Sequence, residues 1–468
     1  MKLSPRFIAV IRRTLFAFAG LATAFALFIA VENWRGSRAW AATARDLAAR
    51  GEPLDLAAIQ PARVPDAENL WKAPMLAKLL YDRPDDPAKK EVEASTRLDS
   101  FQALNEFRGK RARDFTALRD RLRTVRLLNT PLSDSPAADV LAAMEPLQPL
   151  LDEVREAART RRRAELEPRE TPLGPPLVDA GTVFTIGVAL SVRASAAVEL
   201  DRPAEAADDI LAAQRLGNAL AHHPATLLNI MVAAAIHGFA TDAVSAGCRR
   251  QTWTQAQLAR FEQNLAALHP LANFREALRS ERVQVFYALD TKPALPGLGP
   301  SWPAWLFSGW AQQNKVTYSR RLESEVLSLI QLAPERIAPL PPPQASASAA
   351  AKPAKPSLLS PYSAMSELGL HRLSRIFISY GESIDRLRLA SLSWTIERYR
   401  LVHSREPASL EELVPAFLPA FPQGVFDGQP LRATTSPQGE RRFYSFGSNG
   451  RDEQGSGDDI VFPAPDPS

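Results

Sequence analysis

The side chains best placed to do chemistry lie near the C-terminus, in Phe443-Tyr444-Ser445-Phe446-Gly447-Ser448-Asn449-Gly450-Arg451-Asp452-Glu453-Gln454-Gly455-Ser456-Gly457-Asp458-Asp459-Ile460. An apolar, strand-like run ends there in a glycine-rich, acid-rich loop that closes on Asp458-Asp459-Ile460. Carboxylate, amide, hydroxyl and carbonyl oxygens on a flexible backbone suit a hard cation such as Ca2+. The plainer alternative is a turn at Asn449-Gly450 followed by a soluble acidic tail. The histidines offer no second chemistry. His222 and His223 precede Pro224 at a helix end, where capping explains them, and His237 sits in an apolar helix as a core residue. His269, His371 and His403 have no acidic or cysteine partner at useful spacing. Nucleophile elbows, Walker loops, His-Glu-x-x-His and dinucleotide fingerprints are absent from the sequence. No catalytic residue and no organic cofactor is therefore expected, although residues distant in sequence can still assemble a site.

The elements that must position this loop are readable upstream. Residues Ser363 to Val402 carry a helical apolar stripe through Leu373, Ile376, Phe377, Ile384, Leu387, Ala390, Leu392, Trp394 and Tyr399. Pro407 stops that helix. Ser409 and Glu412 have capping-box spacing and open a short helix to about Phe417. A turn at Phe426-Asp427-Gly428 leads to a strand over Leu431 to Thr435, a turn at Ser436 to Glu440, and a second strand over Arg441 to Phe446.

That order of motifs resembles the periplasmic part of the major pseudopilins of type II secretion systems, over about Leu387 to Phe462. The matching stretches are Ile396-Glu397-Arg398-Tyr399-Arg400-Leu401, Ser409-Leu410-Glu411-Glu412-Leu413, Phe426-Asp427-Gly428-Gln429-Pro430-Leu431, Tyr444 to Gly450 and Gly457-Asp458-Asp459-Ile460. The resemblance implies a structural Ca2+ that locks the C-terminal strands. Carried over position by position, its ligands fall on the Phe446 carbonyl, Asn449, Ser456, and Asp458 or Asp459. Asn449 stands where the family has an aspartate, which removes a charge and implies weaker binding. The N-terminus departs from the family's leader and apolar helix, and several hundred residues precede the match. Incorporation into a pseudopilus is not implied.

The rest of the chain supplies location and scaffold. Lys2, Arg6, Arg12 and Arg13 precede the uncharged run Thr14 to Val31, long enough to span a bilayer with the N-terminus in the cytoplasm. A small-residue site at Ala39-Trp40-Ala41 admits the alternative of a cleaved signal peptide. Its distance from the apolar run favours an uncleaved anchor, with Trp34 and Trp40 at the membrane interface. With 56 basic against 52 acidic residues the charges nearly balance, which argues against a nucleic-acid partner. The run Arg159, Arg161 to Arg163 is read as cations at a helix C-terminus. The single cysteine, Cys248, allows no internal disulfide and no cysteine zinc site.

Helical patterns follow at 37–50, 70–81, 96–128, 135–166, 182–200, 204–222, 225–246, from 254, 272–289 and 315–332, with Gly51 as a C-cap, Ser135-Pro136 as an N-cap followed by proline at the first helical position, and Thr254 and Gln257 as a capping box. The short joints Asp201-Arg202-Pro203 and His223-Pro224 make antiparallel hairpins. These resemble tetratricopeptide pairs without their fixed period. Residues Ser191 to Leu268 also resemble helical parts of bacterial membrane-anchored proteins of no known chemistry. Trp302, Trp305, Phe307 and Trp310 form an aromatic cluster, a core plug or a ligand surface. A Pro/Ala/Ser-rich stretch then reads as a linker.

The expected protein is mainly α. Its divisions are a stub and transmembrane anchor (1–31), a membrane-proximal region (32–135), an extracytoplasmic helical-hairpin array (136–335), a linker (336–362) and a long helix with a small α+β cap (363–468). A membrane-anchored periplasmic scaffold or interaction protein with a calcium-stabilised cap fits this pattern best. An accessory component of a secretion or pilus-like envelope system, contacting envelope protein partners, is the first alternative. A metal-dependent hydrolase is the second.

Overall fold

The computed structural model describes residues 5–81, 85–106, 114–165, 179–222, 226–291, 308–333, 335–338, 362, 364–435, 439 and 441–463. Most of the 336–362 linker, His223 and Pro224, and three of the clustered aromatics (Trp302, Trp305 and Phe307) lie outside them. Within them the chain is mainly helical, with a small β region at the C-terminus.

Helix α1 runs unbroken over Pro5–Ala49. The sequence suggested two segments, an apolar run to Val31 and a helix from Ser37, but nothing between them stops a helix. The intervening Gly36 costs helix propensity, and its reason is tertiary. A Cβ on Gly36 would lie 2.4 Å from the Gly309 carbonyl oxygen, and one on Gly309 would lie 2.3 Å from that of Glu32. Only glycines let α1 and α12 (Ser308–Glu325) approach so closely. Asn33 Oδ1 accepts the Gly309 N–H at 2.7 Å. Further along, Lys315 Nζ sits 4.8 Å over the Trp40 ring and Arg50 pairs with Glu323 at 3.3 Å. The two helices therefore run parallel. Below this seam the large side chains of α1 are exposed, Phe16 at 73% and Leu21 at 71%. Helix α1 is long and apolar enough to cross a membrane. It ends at Gly51, whose φ of +70° gives the left-handed cap expected there.

Short helices α2 (Pro74–Tyr81), α3 (Pro87–Thr96), α4 (Phe115–Thr124), α5 (Pro136–Ala143) and α6 (Gln148–Thr160) follow. The expected helix over 96–128 is instead a 3-10 run, Leu98–Glu106, and then α4, which Asp114 caps through the Ala117 N–H. The expected helix from 135 splits at Glu145–Leu147, where Pro146 and Pro149 withhold backbone donors. Ser135 caps α5 as its spacing predicted.

Helices α7 (Ala180–Glu199), α8 (Pro203–Ala221) and α9 (Leu227–Arg249) pack on one another as the short joints required. Helices α7 and α9 also have spanning length and composition, yet their windows are mostly buried inside the protein. A bidentate pair from Arg193 to Asp209 (2.7 and 2.6 Å) crosses the α7–α8 interface. Helix α10 (Gln255–Ala266) opens with the predicted Thr254–Gln257 capping box. Helix α11 (Pro270–Thr291) lies against α1 through the edge-on Trp40–Phe286 contact. Its Arg279 and Arg282 pair with Glu52. Burial would raise the Glu52 carboxyl, but the two arginines outweigh it and hold it below its usual value. Trp310 is a buried plug against Leu289.

Helix α12 begins earlier than the sequence pattern suggested and ends at Glu325. The residues read as its last turns form β1 (Ile330–Leu332), paired with β2 (Glu335–Ile337). Helix α13 (Ala364–His403) matches its predicted span and packs on α9, α10 and α12. A 3-10 turn follows at Leu410–Leu413. Its expected capping box does not form. Ser409 makes no cap bond, and Glu412 instead accepts the Ala408 N–H at 3.0 Å and pairs with Arg405 at 2.9 Å. Strands β3 (Arg432–Thr435) and β4 (Arg441–Ser445) form the predicted hairpin. Strand β5 (Ile460–Phe462) adds a third antiparallel strand in the order β3-β4-β5. This sheet is joined to the helices. Ile337 N–H donates to the Val425 carbonyl at 2.7 Å, and Phe377, Tyr380 and Phe443 share one core with Leu271 and Phe274.

Candidate functional site

The C-terminal loop leaves the central strand β4 and returns as β5, so both of its ends are fixed by sheet hydrogen bonds. Its first turn is tight. A Cβ on Gly447 would lie 2.1 Å from the Asp458 carbonyl oxygen, so the two ends of the loop meet there. Gly450, Gly455 and Gly457 have φ of +66°, +81° and +57°. Two side-chain turns organise the stretch between them. Asn449 Oδ1 accepts the Arg451 N–H at 2.7 Å, and Asp452 Oδ1 accepts the Gln454 N–H at 2.9 Å.

The closing acids then tie the loop across. Asp458 Oδ2 accepts the Asn449 N–H at 2.9 Å. Asp459 Oδ2 accepts N–H groups from Glu453 at 3.0 Å and Gly455 at 2.9 Å. Asn449 Nδ2 donates to Glu453 Oε1 at 2.7 Å. Of the five residues singled out in the sequence, Asn449, Asp458 and Asp459 thus enter one network. Ser456 is exposed and turns its hydroxyl to the Glu453 carbonyl at 2.6 Å. The Phe446 carbonyl receives a long contact from Ser445 Oγ at 3.4 Å, and the Phe446 ring lies 4.0 Å under the Arg432 guanidinium.

The network leaves two oxygens without donors. Glu453 Oε2 and Asp459 Oδ1 are both buried and have no hydrogen-bond partner among the described residues. Burial pushes the Asp459 carboxyl above its usual range, and the nearby Glu453 and Asp452 charges add to this against the amide bonds it accepts. Buried, unpaired carboxylate oxygens are costly without a cation or a proton. These two oxygens are the atoms a hard cation or a proton would satisfy. Among the described residues no three His, Cys, Asp or Glu side chains gather at one point. A cation here would need carbonyl and amide oxygens as well. Glu453 was missed in the sequence because it stands mid-loop, away from the closing Asp-Asp pair.

A second buried acid anchors the sheet that carries this loop. Asp385 of α13 is fully buried and accepts the Val425 N–H at 2.8 Å and the Ser445 hydroxyl at 2.6 Å, with Arg388 at 3.9 Å. Burial pushes its carboxyl up to about 7, against the pull of Arg388 and these hydrogen bonds. Its sequence signal was the series Phe377, Gly381, Asp385, Leu389, which puts an acid on the buried face of the helix.

No protein-family model, curated protein or solved structure matches this chain.

Proposed function

We propose that this protein is a membrane-anchored scaffold whose bulk lies outside the cytoplasm and whose C-terminal cap is stabilised by Ca2+. The observation that carries the reading is the continuity of α1. The helix that would leave the membrane at Val31 carries straight on as a packed element of the domain, with Leu47 buried to 1% exposure. Cutting at Ala39-Trp40-Ala41 would strip Asn33 and Gly36 from Gly309, which supports an uncleaved anchor over a signal peptide. The basic residues ahead of the span support a cytoplasmic N-terminus.

In the cap, Glu453 and Asp459, with Asn449, Asp458 and carbonyl oxygens of the loop, would hold the cation. When bound, it would neutralise the two orphaned oxygens and clamp β5 to β4. Its part is structural, and the scaffold's work is presentation of the cap to another envelope component. The test is a melt of the full chain in detergent with Ca2+ and with chelator. A ligand bound only by the folded state stabilises it by about 2.7 kcal/mol at a hundredfold excess over Kd. A clear rise in Tm with Ca2+ is expected, and an unchanged Tm in millimolar Ca2+ removes the cation from the account.

A further inference from the structure

Helices α12 and α13 begin beside one level of α1, at Glu32 to Gly36. Asn33 and Gly36 of α1 touch Gly309 at the beginning of α12. The Tyr362 hydroxyl, just before α13, donates to Glu32 Oε1 at 2.6 Å. If α1 crosses the bilayer and emerges after Val31, all three elements are rooted at the membrane surface and run away from it. The seam between α1 and α12 stays in register from this root to the Arg50–Glu323 pair.

Two routes give the length of helix between this root and the cap. Along α13, Ala364 to Asp385 is about 32 Å of helix at 1.5 Å per residue. Asp385 holds the cap through Val425 and Ser445. The other route climbs α1 from Glu32 to Trp40, about 12 Å, and crosses to Phe286. It then follows α11 up to Leu271, about 23 Å more. Leu271 N–H donates to Glu335 at 3.0 Å, Glu335 pairs with Arg388 at 2.8 Å, and β2 bonds the Val425 carbonyl. The second route gives about 35 Å, in agreement with the first. The joints along the paths are the Trp40–Phe286 ring contact, the Tyr362–Glu32 and Leu271–Glu335 hydrogen bonds, the Glu335–Arg388 ion pair and the buried Asp385.

We infer that α1, α12 and α13 form a rigid stand that holds the C-terminal cap at a set height, roughly 30–40 Å above the bilayer surface. The stand rests on the reading of α1 as the membrane span.

The experiment uses the full chain in nanodiscs with Cys248→Ala and a single label at Gln423→Cys, an exposed position whose carbonyl is bonded to Arg388. Energy transfer to acceptor dyes on the lipid headgroups reads the height. Spin-label distances from Ser37→Cys to the same position read its spread. A closest approach of about 30–40 Å with a narrow spread is expected. Gly309→Leu should broaden the spread by breaking the seam, whereas Gly238→Leu, where an added Cβ meets nothing within 4 Å, should not. Should Gly309→Leu fail to fold, Asn33→Ala takes away the acceptor for the Gly309 N–H without adding bulk to the seam and should broaden the spread to a lesser degree. A height below about 20 Å, or a broad spread in the unaltered seam, overturns the stand. Release of the unlabelled chain from membranes by alkaline carbonate would instead overturn the anchor reading beneath it.

Discussion

Asp385→Asn tests the bolt between α13 and the cap. In the folded protein burial lifts the Asp385 carboxyl from 3.8 to about 7. That gap of about three units corresponds to roughly 4 kcal/mol at 1.36 kcal/mol per unit. The sign follows from proton counting. Between about pH 4 and 7 the folded cap holds a proton that the unfolded chain has released, so the group's contribution is complete below 3.8 and is lost as pH rises through about 7. The groups facing it are Arg388 on its own helix, Asp427 from the cap loop, and the neutral Ser445 hydroxyl and Val425 amide. Asparagine carries no titrating proton and still offers an acceptor to the Val425 N–H. The assay is hydrogen exchange of peptides spanning 421–431, corrected for intrinsic rates, at pH 5, 6 and 7. The wild-type opening free energy should fall by roughly 2–3 kcal/mol over that range, and the asparagine variant should stay nearly flat. A flat wild-type profile, or an equal slope in both proteins, would refute the role assigned to Asp385.

Other residues give independent outcomes. Glu453→Gln and Asp459→Asn each replace a charge that has a buried, unpartnered oxygen. Both should melt no lower than wild type in chelator and lose most of the Ca2+-induced gain, read by differential scanning calorimetry. Gly447→Ala should disorder the loop, because its Cβ would collide with the Asp458 carbonyl. Faster exchange of the 446–459 amides with β3–β4 protection retained is the expected result. Arg193→Met takes from Asp209, whose residue exposure is 1%, its bidentate partner and leaves only the longer contact to Arg155 at 3.8 Å, and should cost about 3 kcal/mol in denaturant unfolding. His237 is fully buried, neither ring nitrogen is bonded among the described residues, and burial holds it down to about 4. Stability from this group is present above 6.5 and lost as pH falls towards 4. His237→Leu should raise Tm slightly and remove that part of the acid sensitivity.

Much of the helical framework was legible because its signals are local. The Thr254–Gln257 box, the Ser135-Pro136 start, the left-handed Gly51 and the joint at Pro203 all act within a few residues. The unbroken α1 was not legible, since Gly36 reads as a weak point until Gly309 is seen beside it. The split of the helix after Ser135 was written in Pro146 and Pro149 but masked by a continuous apolar stripe. Strand β1 was read as helix because Ile330 and Leu332 suit either period over so short a run. In the loop, the closing acids were legible from the glycines that frame them. Glu453 was not, because its place depends on a backbone turn that brings its amide to Asp459 across six residues.

Isothermal titration of the chelator-stripped full chain with Ca2+ tests the central claim most directly. The account predicts one ion bound per chain and its loss in a Glu453→Gln, Asp459→Asn double variant that keeps the wild-type helical signal. No heat of binding up to millimolar Ca2+, or equal binding by the double variant, would contradict it.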